Sequence, residues 1–154
     1  AMAQISPALP LVGGGATRFQ PVFVGDLGQA LARIVTDPAR AGQTYELGGP
    51  GAYSFKELLE KLLAETGQRR LLLPIPFGAA SLLGALGDMM SFLIKPPITA
   101  DQVQLLKSDN VVSGACPGLA ELGVTPTPLE AVLSTYLYRY RRGGQYADQA
   151  LANS

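Results

Sequence analysis

Leu27, Ala30, Leu31, Ile34 and Val35 fall at the i, i+3, i+4, i+7 and i+8 spacing of one helix face, with polar or small residues between them. Asp26 stands where an N-cap belongs, so the pattern predicts a helix from Asp26 to about Asp37, stopped by Pro38. Ahead of it, Phe19 to Val24 reads as a short strand, and Pro21 gives that strand an edge or irregular position. Residues 1–17 form a lead-in rich in proline and glycine, with little room for a long element. Gln43 to Leu47 is a second strand, closed by Gly48-Gly49-Pro50.

The clearest helix start is Ser54-Phe-Lys-Glu57, a capping box whose two side chains satisfy each other's backbone donors. The helix it opens puts Phe55, Leu58, Leu59, Leu62 and Leu63 on one face, pairs Glu57 with Lys61 on the other, and ends at Gly67. Leu71 to Ile75 is a third strand. Phe77 to Ile94 is almost wholly apolar and dotted with glycine, which predicts one helix packed on most sides or two short helices broken near Gly87-Asp88. Thr99-Ala-Asp-Gln102 is a second capping box, opening a helix to about Lys107, and Gly114 to Gly123 reads as a loop with one short helical turn. Thr127-Pro128-Leu-Glu130 is a third box, with proline at the first helical position. Its helix carries Leu129, Val132, Leu133, Tyr136, Leu137 and Tyr140 in a stripe assigned to the core. The tail from Gly143 is polar and small.

Charged residues make up 16% of the chain, against a usual share of about a quarter. That deficit implies surface covered by something in the complete molecule. Formal net charge is +0, which argues against capture of nucleic acid, and the helix dipole accounts for arginines at 139, 141 and 142. There is no histidine, which excludes Ser-His and Cys-His nucleophile pairs and His-based metal sites. The lone Cys116 excludes an internal disulfide and fits a reducing compartment; beside Pro117 and without a basic neighbour it reads as an inert thiol. Gly13-Gly-Gly15 lacks the G-x-G-x-x-G spacing of a dinucleotide loop. The longest charge-free run, Leu71 to Gly87, contains two prolines and falls short of the ~20 apolar residues needed to span a bilayer. The first residues lack the basic region of a signal peptide. A soluble, cytoplasmic protein is the expectation.

Arg18-Phe-Gln-Pro-Val-Phe-Val-Gly-Asp26 with its helix, and the Tyr45-Glu-Leu-Gly-Gly-Pro50 strand end, resemble the C-terminal, substrate-side portion of extended and atypical short-chain dehydrogenases, the NAD-dependent epimerase/dehydratase family. Asp101-Gln-Val-Gln-Leu-Leu-Lys-Ser-Asp-Asn-Val-Val-Ser113 and Gly123-Val-Thr-Pro-Thr-Pro-Leu-Glu130 are similar to the bacterial branch related to the dehydrogenase-like accessory subunit of respiratory complex I. The match runs from about Leu9 to Arg142. It implies an α/β class (an α+β fragment), the helix-rich substrate-side lobe of a Rossmann-type protein, with about three short strands and about four or five helices. Residues 1–142 would form that lobe and residues 143–154 a flexible tail.

Short-chain dehydrogenases use a Tyr and a Lys four residues apart, and no Tyr here is followed by Lys at that spacing; Tyr53 and Lys56 are three apart. The family's cofactor loop and catalytic pair lie N-terminal to the matching region. The resemblance therefore implies no catalytic or metal-ligating residue here, NAD(P) as cofactor of the full-length protein, and no tight cofactor binding by this chain alone. It implies that Arg18, Gln20, Pro21 and Gly49 lie near substrate or cofactor. Read from the residues alone, Arg18 is as well a solvated loop charge, Gln20 an edge-strand residue, Gly49 a turn glycine and Asp26 a helix cap. Gln20 and Phe23 stand where many true epimerases carry other polar groups.

The implied partners are an N-terminal Rossmann half of the same protein, a second copy joined through exposed strand edges, and a respiratory complex or membrane-peripheral site reached through Phe77–Ile94. Nucleic acid is not among them. The location implied is cytoplasmic or peripheral to the inner membrane. Two other functions fit the residues: a structural module docked on a respiratory assembly, or a self-sufficient small-molecule binder using the Gly13–Gln20 loop.

Overall fold

In the computed structural model, residues 7–82, 100–137 and 140 are described. The lead-in, expected to hold no long element, contains strand β1, Ala8–Val12. It pairs in parallel with β4, Leu71–Ile75, with Ala8 opposite Leu71 and Val12 opposite Ile75. Each strand carries a proline, Pro10 and Pro74, which the pair tolerates because each strand has one edge unpaired among the described residues. Leu9, Leu11 and Val12 are buried by this pairing and its surroundings.

Gly13–Gly15 then reverse the chain with φ of 61, 69 and 71°. Side chains are excluded there twice over, since a Cβ on Gly13 would lie 2.3 Å from the Phe77 ring. Of the strand expected over Phe19–Val24, only β2, Arg18–Phe19, has ladder partners. It lies antiparallel to β3, Tyr53–Ser54, and bridges in parallel to Asn110. Residues 20–23 are extended without a ladder.

Helix α1 is Val24–Thr36, beginning two residues before the expected start. Its N-cap is Phe23, which makes no side-chain cap bond; Asp26 lies inside the first turn. Asp26 is 2% exposed and accepts from the Thr127 backbone N–H at 2.6 Å and the Thr127 hydroxyl at 2.9 Å. The carboxylate is therefore a long-range tie. Burial of a charge demands such donors, and a first-turn acid keeps a favourable dipole interaction without capping. The expected core stripe is also split. Ala30 is fully buried, whereas Leu31 is 50% and Val35 83% exposed, because Leu119, Leu122 and Val124 cover only one side of the helix.

Gln43–Leu47, expected to be a strand, has no strand assignment and pairs with no strand among the described residues. Helix α2, Phe55–Thr66, matches its expected signals closely. Ser54 and Glu57 form the reciprocal capping box, and Gly67 takes a left-handed conformation at the C-terminal end. The expected Glu57–Lys61 pair is replaced: Lys61 binds Glu130 at 2.7 Å, and the i, i+4 pair is Lys56–Glu60. A partner arriving from another helix offers Lys61 a shorter contact than its own face does.

Residues 77–82 are helical, consistent with the start of the expected apolar helix; Gly87-Asp88 and the rest of that run lie outside the described residues. Helix α3 is Ala100–Leu105, closed by a turn in which Lys107 N–H donates to Gln104 O. Thr99 of its expected capping box is not among the described residues. Turns follow from Gly114 to Gly123. Helix α4 is Leu129–Leu137. Its expected capping box is not formed, because Thr127 gives both donors to Asp26 and Glu130 turns to Lys61 and Tyr53. Tyr136 and Tyr140, expected in the core, are 55% and 38% exposed.

Two apolar clusters hold the chain. One joins Ala30 of α1 to Leu119, Leu122 and Val124. The other joins Val12 of β1, Ala80 and Val103 of α3. Val22, Ile34, Tyr45 and Leu47 pack against the first.

Candidate functional site

Gln20 organises this region. Its side-chain amide donates to Gly49 O at 2.7 Å and its carbonyl oxygen accepts from Val112 N–H at 3.1 Å. Three stretches distant in sequence are thereby held by one amide, both ends of which are used. Gly49 is buried against Pro21, where an added Cβ would lie 1.9 Å from Pro21 O. That distance requires glycine for close backbone approach rather than for a turn. Gln20, Pro21 and Gly49 thus come together. Arg18 stands apart: its backbone N–H donates to Asp109 at 2.8 Å and the residue is exposed.

The loop opposite is fastened by Glu46. Its carboxylate accepts from the Ser113 hydroxyl, from Ser113 N–H at 2.7 Å and from Gly114 N–H at 3.1 Å. The Ser113 hydroxyl, followed by the two backbone donors, holds this carboxyl below its ordinary range. Glu46 N–H donates to Pro117 O at 3.0 Å. Glu46 escaped sequence reasoning, since nothing local marks a glutamate whose donors lie in a loop so far along the chain.

Past Pro21 a groove of about 290 Å³ opens between Pro21–Val24, Thr127 and the α4 residues Leu129, Val132 and Tyr136. None of these side chains is charged. On the far side of α4, Glu130 joins Lys61, and Lys61 lies 5.1 Å above the Tyr53 ring. Hydrogen bonding between Lys61 and Glu130 raises the amine and lowers the carboxyl. Tyr53 and Lys56, too close in sequence to serve as a catalytic pair, are given structural tasks: Tyr53 donates to Glu130 at 3.4 Å and Lys56 pairs with Glu60. Cys116 is a partly buried free thiol. No group of three or more potential metal ligands occurs among the described residues.

The arrangement of a parallel strand pair, helices and short ladders has counterparts among solved structures. The chain matches triphenylmethane reductase of Citrobacter sp. with a TM-score of 0.61 and 21% identity, over 88% of this chain and 46% of that one. The same reductase complexed with NADP(H) gives 0.61 and 18% over 87% and 46%, and gox2253 gives 0.57 and 17% over 91% and 42%. At such identities the likeness is one of fold.

Sequence relatives are more particular. The chain is 34% identical over 143 residues to NADH dehydrogenase (ubiquinone) 1 alpha subcomplex subunit 9, mitochondrial, of Arabidopsis thaliana, covering 88% of this chain and 36% of that protein. The Mus musculus subunit of that name is 33% identical over 87% of this chain and 35% of its own length. The NADH-ubiquinone oxidoreductase 40 kDa subunit of Neurospora crassa is 30% identical over 84% and 34%. No protein-family model matches. The chain is similar in sequence to these complex I subunits and is consistent with the C-terminal portion of an extended short-chain dehydrogenase. It spans about a third of the length of the curated relatives it matches, at 36%, 35% and 34%.

Proposed function

We propose that this chain is the substrate-side lobe, residues 1–142 followed by a tail over 143–154, of a longer dehydrogenase-like protein, and that it closes over a nucleotide-holding half. The observation that carries this reading is the segment Gln43–Leu47. One side of it is fastened through Glu46 to Pro117, Ser113 and Gly114, while it has no strand partner among the described residues. A segment with strand composition, fastened on one side and without a ladder, is suited to serve as an edge for an added strand. Tyr45 and Leu47 pack against the cluster around Ala30 of α1, and the exposed positions of α1 that carry no charge include Val24, Leu31 and Val35. A Rossmann sheet adding a strand to residues 43–47 would cover both.

In this reading NAD(P) belongs to the complete protein, the lobe has no turnover of its own, and Gln20, Pro21 and Gly49 shape the wall facing the nucleotide, with Arg18 at its rim. Titration calorimetry with NADH and NADPH tests it. Binding is expected for a protein that includes a glycine-rich Rossmann half and not for this chain; micromolar binding by this chain alone would overturn the reading. In a thermal-shift screen of the longer protein, Arg18→Ala is expected to weaken the ligand response, and an unchanged response removes Arg18 from the site.

A second role is supported by the names of the relatives, which are subunits of a respiratory complex: the lobe doubles as an interaction module on such an assembly. No helix among the described residues is long and apolar enough to cross a membrane; in this reading attachment is peripheral, on the cytoplasmic side in a bacterial host. Fractionation of membranes at low salt checks this; recovery wholly in the soluble fraction counts against it.

A further inference from the structure

Pro21, Val22, Phe23, Leu129, Val132 and Tyr136 wall the 290 Å³ groove, a size at the low end of the about 300–1,000 Å³ typical of small-molecule pockets. Two polar side chains next to its lining in sequence or by contact, Asp26 and Gln20, are already engaged. Both carboxylate oxygens of Asp26 are taken by Thr127, and Gln20 is committed at both ends of its amide. The Thr127 hydroxyl has given its proton to Asp26, so its oxygen has only acceptor capacity left. A phosphate entering here would shed water with no cation among the lining residues to replace it.

We propose that this groove takes the apolar part of a neutral small molecule, an aromatic ring or branched alkyl group with a single hydrogen-bond donor, and excludes the phosphate-bearing part of a sugar nucleotide. The inference rests on the reading of the chain as a substrate-side lobe and adds the ligand class to it. Thr127 and the Tyr136 phenol are the two groups able to meet a polar substituent; the rest of the contact is hydrophobic.

The test is a methyl-resolved NMR titration of the chain with N-phenyl-1-naphthylamine, an uncharged ring system with one N–H donor. Saturable shifts are expected at the methyls of Val22, Val24, Leu129 and Val132, with Leu71 and Leu73 of β4 unmoved. UDP-glucose is expected to move none of the groove methyls. Val132→Trp, which fills the groove, should weaken the probe at least about tenfold. Should that variant fail to fold, the wild-type shift map decides by itself. Shifts spread equally onto Leu71 and Leu73, a response that does not saturate, or groove shifts with UDP-glucose would each overturn the proposal. So would the same shifts appearing on simple concentration of the chain, which would assign the groove to a second copy. NADH binding by this chain would defeat the lobe reading without altering the methyl map, so the two failures are distinguishable.

Discussion

Helices α1 and α2 are of nearly equal length, 13 and 12 residues, and are built for different surroundings. The outer face of α2 carries Lys56, Glu57 and Glu60, with a capping box at one end and a left-handed glycine at the other. That helix is finished for water. The exposed face of α1 shows Val24, Leu31 and Val35. Its two charged side chains both reach the 119–127 stretch, Asp26 to Thr127 and the Arg33 guanidinium to Leu122 O at 2.5 Å. On α1 both charged side chains bind within the chain while Val24, Leu31 and Val35 stay exposed, apolar surface of the kind that a partner covers. The two helices therefore present different surfaces, one dense in charge and the other exposing large apolar side chains.

The sharpest way to break the α1 side is Gly49→Ala. The added Cβ collides with Pro21 O, a backbone atom that cannot swing aside, at 1.9 Å. A cost above about 4 kcal/mol is expected, read as loss of the cooperative urea transition; a normal transition would mean the close approach is dispensable. Asp26→Ala comes next. It strands the Thr127 N–H beside a 2% exposed site, and the expected cost is about 3 kcal/mol, with Asp26→Asn losing less because one acceptor survives.

The pair Leu31→Lys and Val35→Lys sharpens the comparison differently. Both positions are at least half exposed, so the chain's own stability should stay within about 0.5 kcal/mol of wild type. Association with a separately expressed nucleotide-binding half, measured by sedimentation, should be lost. Unchanged association would show that the apolar face of α1 is not the covered one.

The smallest effect belongs to the α2 side. Glu57, held low first by Ser54 N–H, and Glu130, held low first by Lys61, have folded values under the ordinary 4.5. Stability from such groups is complete above the unfolded value and is lost as pH falls through the folded one. Tm is therefore expected to be flat from about pH 5 to 8 and to fall below about 4.5, with Glu130→Gln making that acid decline shallower. For Lys61 the sign is opposite: its raised value means a contribution present below 10.5 and lost as pH rises further. A Tm that rises on acidification would refute both assignments.

Legibility followed the same division. The boundaries of α2 were readable because Ser54, Glu57 and Gly67 act within one helical turn of where they stand. Those of α1 were not: Asp26 looks like a cap, but its partner is 101 residues away. Strand β1 was hidden by Pro7 and Pro10, and its partner Leu71–Ile75 lies beyond both helices. Gln43–Leu47 has strand composition without, among the described residues, a strand to pair with. Gln20 is read from the sequence as ligand-proximal or as an edge-strand residue; its amide grips Gly49 and Val112, contacts that no spacing rule encodes.

By itself the sequence determined where helices α1 and α2 exist, where β4 runs, and that histidine and thiolate-cluster chemistry are excluded, because periodicity, caps and composition are local or global sums. Tertiary structure alone decided which half of the α1 stripe is buried, that Asp26 and Thr127 form one unit, and that Pro21 and Gly49 touch. Those outcomes depend on which surfaces meet after the chain has folded back on itself, and a hydrogen bond or a van der Waals contact registers distance in space without regard to separation along the chain.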